Sequence, residues 1–302
     1  LIYLQNSGLG NIVNPYVSLL HKEIYNIPFV LLIGWRGEPN KPDEPQHKVQ
    51  GRITEDLLKL LEIDYIYFDE KSILEEIIEQ IETYTTKKKP LAILVKKDSF
   101  KKDSRVFEND QSLSTRSGAL KKIIGFFGSK AIYISTTGKL SRELYSLRQI
   151  EEEVNNDLYV IGGMGHASSI ALGILESEKK KNIVCLDGDG SLLMHMGQLS
   201  LIADKKYKNF YHIVFNNSSH ESVGGQPNLY SKINSDQLFK SFGYETIIGI
   251  NSIEELDKLQ LEKINGPAYI DIKVQNFSSS SLPRPSDEIQ KYKDLFIEKL
   301  NE

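Results

Sequence analysis

The decisive stretch of this 302-residue chain is DGDGSLLMHMGQLSLIADKKYKNFYHIVFNN, residues 187–217. Asp189 stands in a Gly-Asp-Gly turn directly after an apolar run at residues 182–186. Twenty-five residues separate Gly190 from Asn216, and Asn216-Asn217 closes a second apolar run at residues 211–215. A carboxylate after one strand and an amide after the next bring two hard oxygens to one small cation. Octahedral Mg²⁺ takes such oxygens together with those of a phosphate-bearing ligand. Gly188 and Gly190 let the backbone approach that ligand, and a helix beginning near Ser191 offers it free N–H groups. Gly-Asp-Gly alone is also an ordinary turn sequence. The strand before each element and the amphipathic segment 192–203 between them carry the functional reading.

Bulk properties restrict the function further. The length accommodates two domains of ordinary size. A formal charge of -4 with 26% charged residues provides no basic field for nucleic acid. The single cysteine, Cys185, lies in an apolar run. It excludes a disulfide framework, reads as a small core residue and points to a reducing compartment, the cytoplasm. No apolar run reaches the length of a membrane span, so no membrane partner is expected.

Outward from residues 187–217, strand-length apolar runs alternate with helix-patterned segments. In the first third, strands are expected at 1–4, 27–33, 65–68 and 91–95. Helices are expected at 11–21, at 54–61 with Thr54 as the N-cap, and at 73–83. Residues 96–112 are polar and lack an apolar period, which reads as a linker. Beyond it, strands are expected at 131–135, 158–161, 182–186, 211–215 and 268–274. Helices are expected at 120–127, 141–147, 165–175, 235–242 and 253–259, with an amphipathic helix at the C-terminus. This rhythm predicts an α/β protein of two parallel-sheet domains, residues 1–110 with the linker and residues 111–302. Ligands of such folds sit at the carboxyl ends of strands. Leu1 already belongs to a strand pattern, and a sheet beginning there would have an unsupported edge. Residues preceding Leu1 are therefore expected.

The GDG–NN pair matches the thiamin diphosphate motif, and five further stretches narrow the resemblance. They are QNSGLGNIVNP (5–15), GWRGEPNKPDEPQHKVQGRIT (34–54), STTGKLSREL (135–144), GGMGHASSIALG (162–173) and NNSSHESVGGQPN (216–228). In this order, over almost the whole chain, they resemble the phosphonopyruvate decarboxylases, close relatives of the sulfopyruvate decarboxylases. The resemblance implies the thiamin diphosphate-binding fold, a pyrimidine-binding domain followed by a diphosphate-binding domain. It implies decarboxylation of 3-phosphonopyruvate to phosphonoacetaldehyde and CO₂ in phosphonate biosynthesis, such as toward 2-aminoethylphosphonate.

Site residues are implied by the same resemblance. Asp189, Asn217 and the carbonyl of Ser219 match the Mg²⁺ ligands. Gly188, Gly190 and Ser191, with Thr137 and Gly138, match the diphosphate loops, and Met164 the apolar residue under the bent cofactor. Arg36 suits the phosphonate of a small 2-oxo acid with an anionic tail, because its planar fork binds such oxygens bidentately. His47 and His220 are candidates for proton transfer or substrate binding. Family sites form between subunits, which implies self-association with the active site at the subunit interface. The family's activating glutamate lies upstream of the segment that begins here at Gln5, so it is expected before Leu1. Glu38 and Glu44 are not given its role. The alternatives are a sulfopyruvate decarboxylase, or a cofactor-binding but catalytically silent chain should that glutamate not exist.

Overall fold

The computed structural model describes residues 1–101, 110–150, 157–178, 180–260, 264–276, 282–285 and 289–301. The middle of the expected linker, 102–109, lies outside them. The chain separates into two compact units, Leu1–Ser104 and Arg105–Glu302. Each is built on an all-parallel sheet.

The first unit has strands β1 (Ile2–Gln5), β2 (Val30–Gly34), β3 (Asp64–Phe68) and β4 (Leu91–Val95), in the order β1-β2-β4-β3. Every residue of β4 is buried, as in a parallel strand covered on both faces. On one face Leu31, Ile33 and Leu94 pack with Leu9 of α1 (Leu9–Pro15) and Leu58 of α2 (Pro45–Leu60). On the other, Val30, Ile93 and Val95 meet Ile77 and Ile81 of α3 (Leu74–Thr86). The helix expected at 11–21 is α1 followed by a π-turn, Tyr16–Leu20.

Thr54 is not an N-cap. Helix α2 begins nine residues earlier at Pro45, where a missing N–H costs nothing. Thr54 is buried in its interior and donates to the carbonyl of Gln50 at 2.7 Å, the back-bond that accommodates a mid-helix hydroxyl. The same hydroxyl accepts from Asn6 Nδ2 at 2.9 Å.

The second unit has strands β5 (Ile132–Ser135), β6 (Asp157–Tyr159), β7 (Ile183–Gly188), β8 (Phe210–Asn216), β9 (Thr246–Ile250) and β10 (Ala268–Lys273). Their order is β6-β5-β7-β8-β10-β9. The helices are α4 (Arg116–Phe127), α5 (Lys139–Ile150), α6 (Ala167–Ser177), α7 (Asp189–Leu192), α8 (Leu199–Asp204), α9 (Ser235–Phe242), α10 (Ile253–Asp257) and α11 (Ile289–Asn301). Alternate strand residues feed two cores. Val184, Leu186 and Ile213 pack with Leu120 and Leu144, whereas Ile183, Cys185 and Val214 pack with Ala171, Leu175 and Ile202. No described helix is long and apolar enough to cross a membrane.

Two local features differ from the sequence expectations. Strand β9 is absent from them because Gly249 interrupts its short apolar run at the sheet edge. The amphipathic segment 192–203 is not one helix. It breaks between α7 and a 3-10 turn, Met196–Gln198, where His195 leaves helical geometry at φ -142° and ψ 49°. That break lays His195 on His166, with ring centroids 4.2 Å apart. It also lets Gln198 Nε2 donate to Gly165 O at 2.7 Å and Ser168 Oγ at 2.6 Å.

Strand β6 lies on one side of β5 and β7 on the other. Loops leaving β5 and β7 therefore diverge, opening a crevice at the carboxyl ends of the strands, where ligands of such sheets bind.

Candidate active site

Side chains on the loops after β5, β6 and β7 tie this crevice together. Ser191 Oγ lies 2.8 Å from Thr136 Oγ1 and accepts from the amide of Gly165 at 3.1 Å. Thr137 Oγ1 donates to the carbonyl of Ile161 at 2.5 Å. Gly138, at φ +102°, takes a backbone conformation that favours glycine, and a Cβ there would lie 3.2 Å from Ser222 Oγ after β8. Thus Thr137, Gly138, Gly188, Asp189, Gly190, Ser191, Asn217, Ser219 and His220 occupy one edge of the sheet. Met164 follows β6 on the same edge and is 37% exposed, so it is not a core side chain.

Asp189 is the focus of this edge. It is 3% exposed, and its carboxylate accepts from Asn228 Nδ2 at 2.9 Å and from the amide of Gly190 at 2.8 Å. Among the described residues it forms no ion pair with a Lys, Arg or His. Burial pushes its pKa up, against the bonds from Asn228, Gly190 and Ser218, and nearby Asp271 adds to the rise. A buried carboxylate without a cation is costly, and a bound metal ion relieves that cost. Ser219 Oγ is also buried and has no hydrogen-bond partner among the described residues. Asn217 Oδ1 accepts from the amide of Ser219 at 3.1 Å, and Nδ2 donates to Glu221 Oε2 at 3.3 Å. Carboxylate, amide and carbonyl oxygens form a hard donor set that fits Mg²⁺.

The turn itself is held from below and beside. The amide of Gly188 donates to Asp187 Oδ1 at 2.9 Å, so the Gly188 and Gly190 N–H groups both contact neighbouring carboxylates. Asp187 Oδ2 lies 3.4 Å from His212 Nε2, and His212 Nδ1 lies 3.4 Å from the Tyr244 hydroxyl. All three side chains are buried, beside Cys185, whose thiol pKa burial pushes up. A Cβ on Gly190 would lie 3.1 Å from His220 Nδ1, so glycine is what lets that imidazole pack on the turn.

In the first unit, the loop after β2 organises around Asp43, a residue the sequence reading did not single out. Arg36 Nε and Nη2 donate to its carboxylate at 2.9 and 2.5 Å, and the amides of Gly37 and Glu44 each donate at 2.7 Å. His47 Nδ1 lies 3.2 Å from Asp43 Oδ1. Asn6 anchors the loop by donating to the Arg36 carbonyl at 2.8 Å and accepting from its amide at 3.1 Å. The Arg36 fork thus already faces a carboxylate, and Nη1 makes no hydrogen bond among the described residues. The available signal was an acid four residues before His47, across the start of a helix.

Burial alone would raise the pKa of Asp43. Arg36, the two amides and His47 outweigh it and hold the carboxyl well below the usual range. Stability from this group is therefore present above the ordinary value of 3.8 and lost as pH falls through the folded value. Asp43→Asn is expected to cost about 1–2 kcal/mol at neutral pH, discounted for the half-exposed Arg36. In urea titrations at several pH values, the gap between variant and wild type should narrow below pH 3.8. A gap unchanged from neutral pH into that acid range would refute the charge pairing.

The chain is similar to known proteins. Residues 136–272 match the thiamine pyrophosphate enzyme C-terminal TPP binding domain. The phosphonopyruvate decarboxylase of Streptomyces viridochromogenes is 30% identical over 93% of this chain and 74% of its own length. That of Streptomyces hygroscopicus is 31% identical over 93% of this chain and 73% of its own. The sulfopyruvate decarboxylase subunit beta of Methanocaldococcus jannaschii is 38% identical over 46% of this chain and 71% of its own. With two parallel-sheet units and a TPP-binding match spanning the crevice, the chain belongs to the phosphonopyruvate decarboxylase family of thiamin diphosphate-dependent decarboxylases.

Proposed function

We propose that this protein uses Mg²⁺ and thiamin diphosphate to convert 3-phosphonopyruvate to phosphonoacetaldehyde and CO₂. The reaction would serve phosphonate biosynthesis, such as toward 2-aminoethylphosphonate, in the cytoplasm. The observation that carries this reading is the buried Asp189 carboxylate, with no cationic partner among the described residues, in the crevice between β5 and β7. Residues 1–110 would act as the pyrimidine-binding domain and 111–302 as the diphosphate-binding domain. Self-association would complete the active site at a subunit interface, in keeping with a relative that is itself named a subunit.

Asp189 and Asn217 side chains and the Ser219 carbonyl would hold Mg²⁺. Gly188, Gly190 and Ser191, with Thr137 and Gly138, would cradle the diphosphate, and exposed Met164 would support the cofactor rings. When bound, the cofactor supplies the electron sink for loss of CO₂. The chain binds, orients and moves protons. Arg36 Nη1 meets the anionic tail. His47, with Nδ1 turned to Asp43, presents Nε2 for proton exchange, and His220 offers a second imidazole beside Gly190.

Sulfopyruvate is the second reading, favoured by the match to sulfopyruvate decarboxylase subunit beta. Purified protein with Mg²⁺ and thiamin diphosphate is expected to favour phosphonopyruvate by about tenfold or more in kcat/KM, the scale of one good contact to a charged group. Faster CO₂ release from sulfopyruvate would establish the second reading. No CO₂ from phosphonopyruvate would sink the first.

A further inference from the structure

Glu221 follows His220 in the loop after β8 and belongs to a chain of alternating charge, Lys139–Glu221–Arg116–Glu143. Its Oε2 accepts from Arg116 Nη1 at 2.7 Å and its Oε1 from Lys139 Nζ at 3.0 Å. Arg116 turns Nε and Nη2 to Glu143 at 2.9 and 2.8 Å. Lys139 and Glu143 lie one turn apart on α5, so that helix contributes one charge of each sign. Arg116 and Glu143 are 7% and 2% exposed. Buried ions persist where each is matched in charge and hydrogen bonding, and this chain of pairs matches them. Glu221 is consequently fixed in place.

The fixed carboxylate is aimed at Asn217. Asn217 Nδ2 donates to Glu221 Oε2 at 3.3 Å and to Asn276 Oδ1 at 3.5 Å. An ionised carboxylate is only an acceptor, so it takes the NH₂ end of the amide and refuses the oxygen. Pinning Nδ2 determines where Oδ1 points. The one-turn helix Glu221–Val223 also abuts the loop after β5, where Ser222 Oγ faces Gly138.

From this geometry we infer that Glu221 is a positioning residue that, held by Arg116 and Lys139, fixes the Asn217 amide with its oxygen toward the Mg²⁺ site. The inference rests on the Mg²⁺ reading proposed above. It assigns to Glu221 an effect on metal affinity without direct contact with the metal, as outer-shell partners of ligands have.

The test is Mg²⁺ titration of thiamin diphosphate binding by calorimetry, with thermal melting of each metal-free variant. Glu221→Ala is expected to raise half-saturating Mg²⁺ by about tenfold or more. Glu221→Gln, which keeps the shape and loses the charge, should move it the same way by less. In an Asn217→Ala background, Glu221→Ala should add nothing, because its effect passes through that amide. Glu143→Gln touches Arg116 but not Asn217, and should lower the melting temperature while raising the Mg²⁺ requirement by much less than Glu221→Ala does. An equal further rise on Glu221→Ala in the Asn217→Ala background, or an equal rise in Glu143→Gln, would overturn the inference. An unchanged Mg²⁺ requirement in Asn217→Ala itself would instead remove the metal assignment on which it rests.

Discussion

Asp189→Ala is expected to abolish Mg²⁺-dependent binding of thiamin diphosphate and to lower decarboxylation by about a thousandfold or more, since losing several kcal/mol of metal-mediated stabilisation costs a factor of ten per ~1.4 kcal/mol. The carboxylate is 3% exposed and, among the described residues, its hydrogen bonds come from the Asn228 amide and backbone N–H groups. None of these neutral groups can substitute for its charge. A companion variant separates this role from plain structure. Because burial raises the folded pKa of Asp189, its favourable contribution is complete at low pH and is lost as pH rises through the folded value. Burial thus disfavours the charged form of this carboxyl in the metal-free protein. Asp189→Asn removes that charge and keeps an oxygen for Asn228. It should melt higher than wild type without metal, yet gain nothing from Mg²⁺ with thiamin diphosphate. Unchanged cofactor affinity in Asp189→Ala would show the ligand assignment to be wrong.

Asp189 was legible because its signal is local: a polar turn between glycines, placed at the end of an apolar strand. The parallel sheets were legible for the same reason, since strands covered on both faces read as continuous apolar runs. What sequence did not disclose depends on distant partners. Thr54 has the letter of a helix cap, but its hydroxyl back-bonds to Gln50 and accepts from Asn6, 48 positions away. Asn228 meets Asp189 across 39 positions and Arg116 meets Glu221 across 105, with no periodicity linking either pair. The segment 192–203 keeps its amphipathic pattern across a real break, because Leu192 before it and Leu199, Ile202 and Ala203 after it pack into one core. Asp187, His212 and Asp271 did leave a trace. Each is a titratable residue inside an apolar strand, and such a residue is seldom buried without a partner.

Gly51→Ala is expected to destabilise the first unit by about 3 kcal/mol or more, the upper range for forcing atoms into a filled space. The sign runs against local propensity, because alanine in place of glycine inside a helix ordinarily gains roughly 0.5–1 kcal/mol. Packing decides otherwise. A Cβ on Gly51 would fall on the carbonyl of Gly37, and one on Gly37 would fall on the carbonyl of His47. Gly37 also sits at φ +68°, so neither backbone can give way by a simple rotamer change. This contact presses α2 against the loop after β2. It brings the Gly51 carbonyl to Trp35 Nε1 at 3.0 Å, while Trp35 stacks on Tyr67 with centroids 5.8 Å apart. Forcing the helix away would break that bond and disperse Asp43, Arg36 and His47, so decarboxylation should fall with stability. Trp35 is the single tryptophan of the chain, and its fluorescence reports urea unfolding at this contact. Gly10→Ala is the control: it lies in α1 with nothing within 4 Å of an added Cβ, and its midpoint should rise slightly or stay. Equal midpoints for the two variants would mean that the Gly37–Gly51 contact does not hold the loop in place.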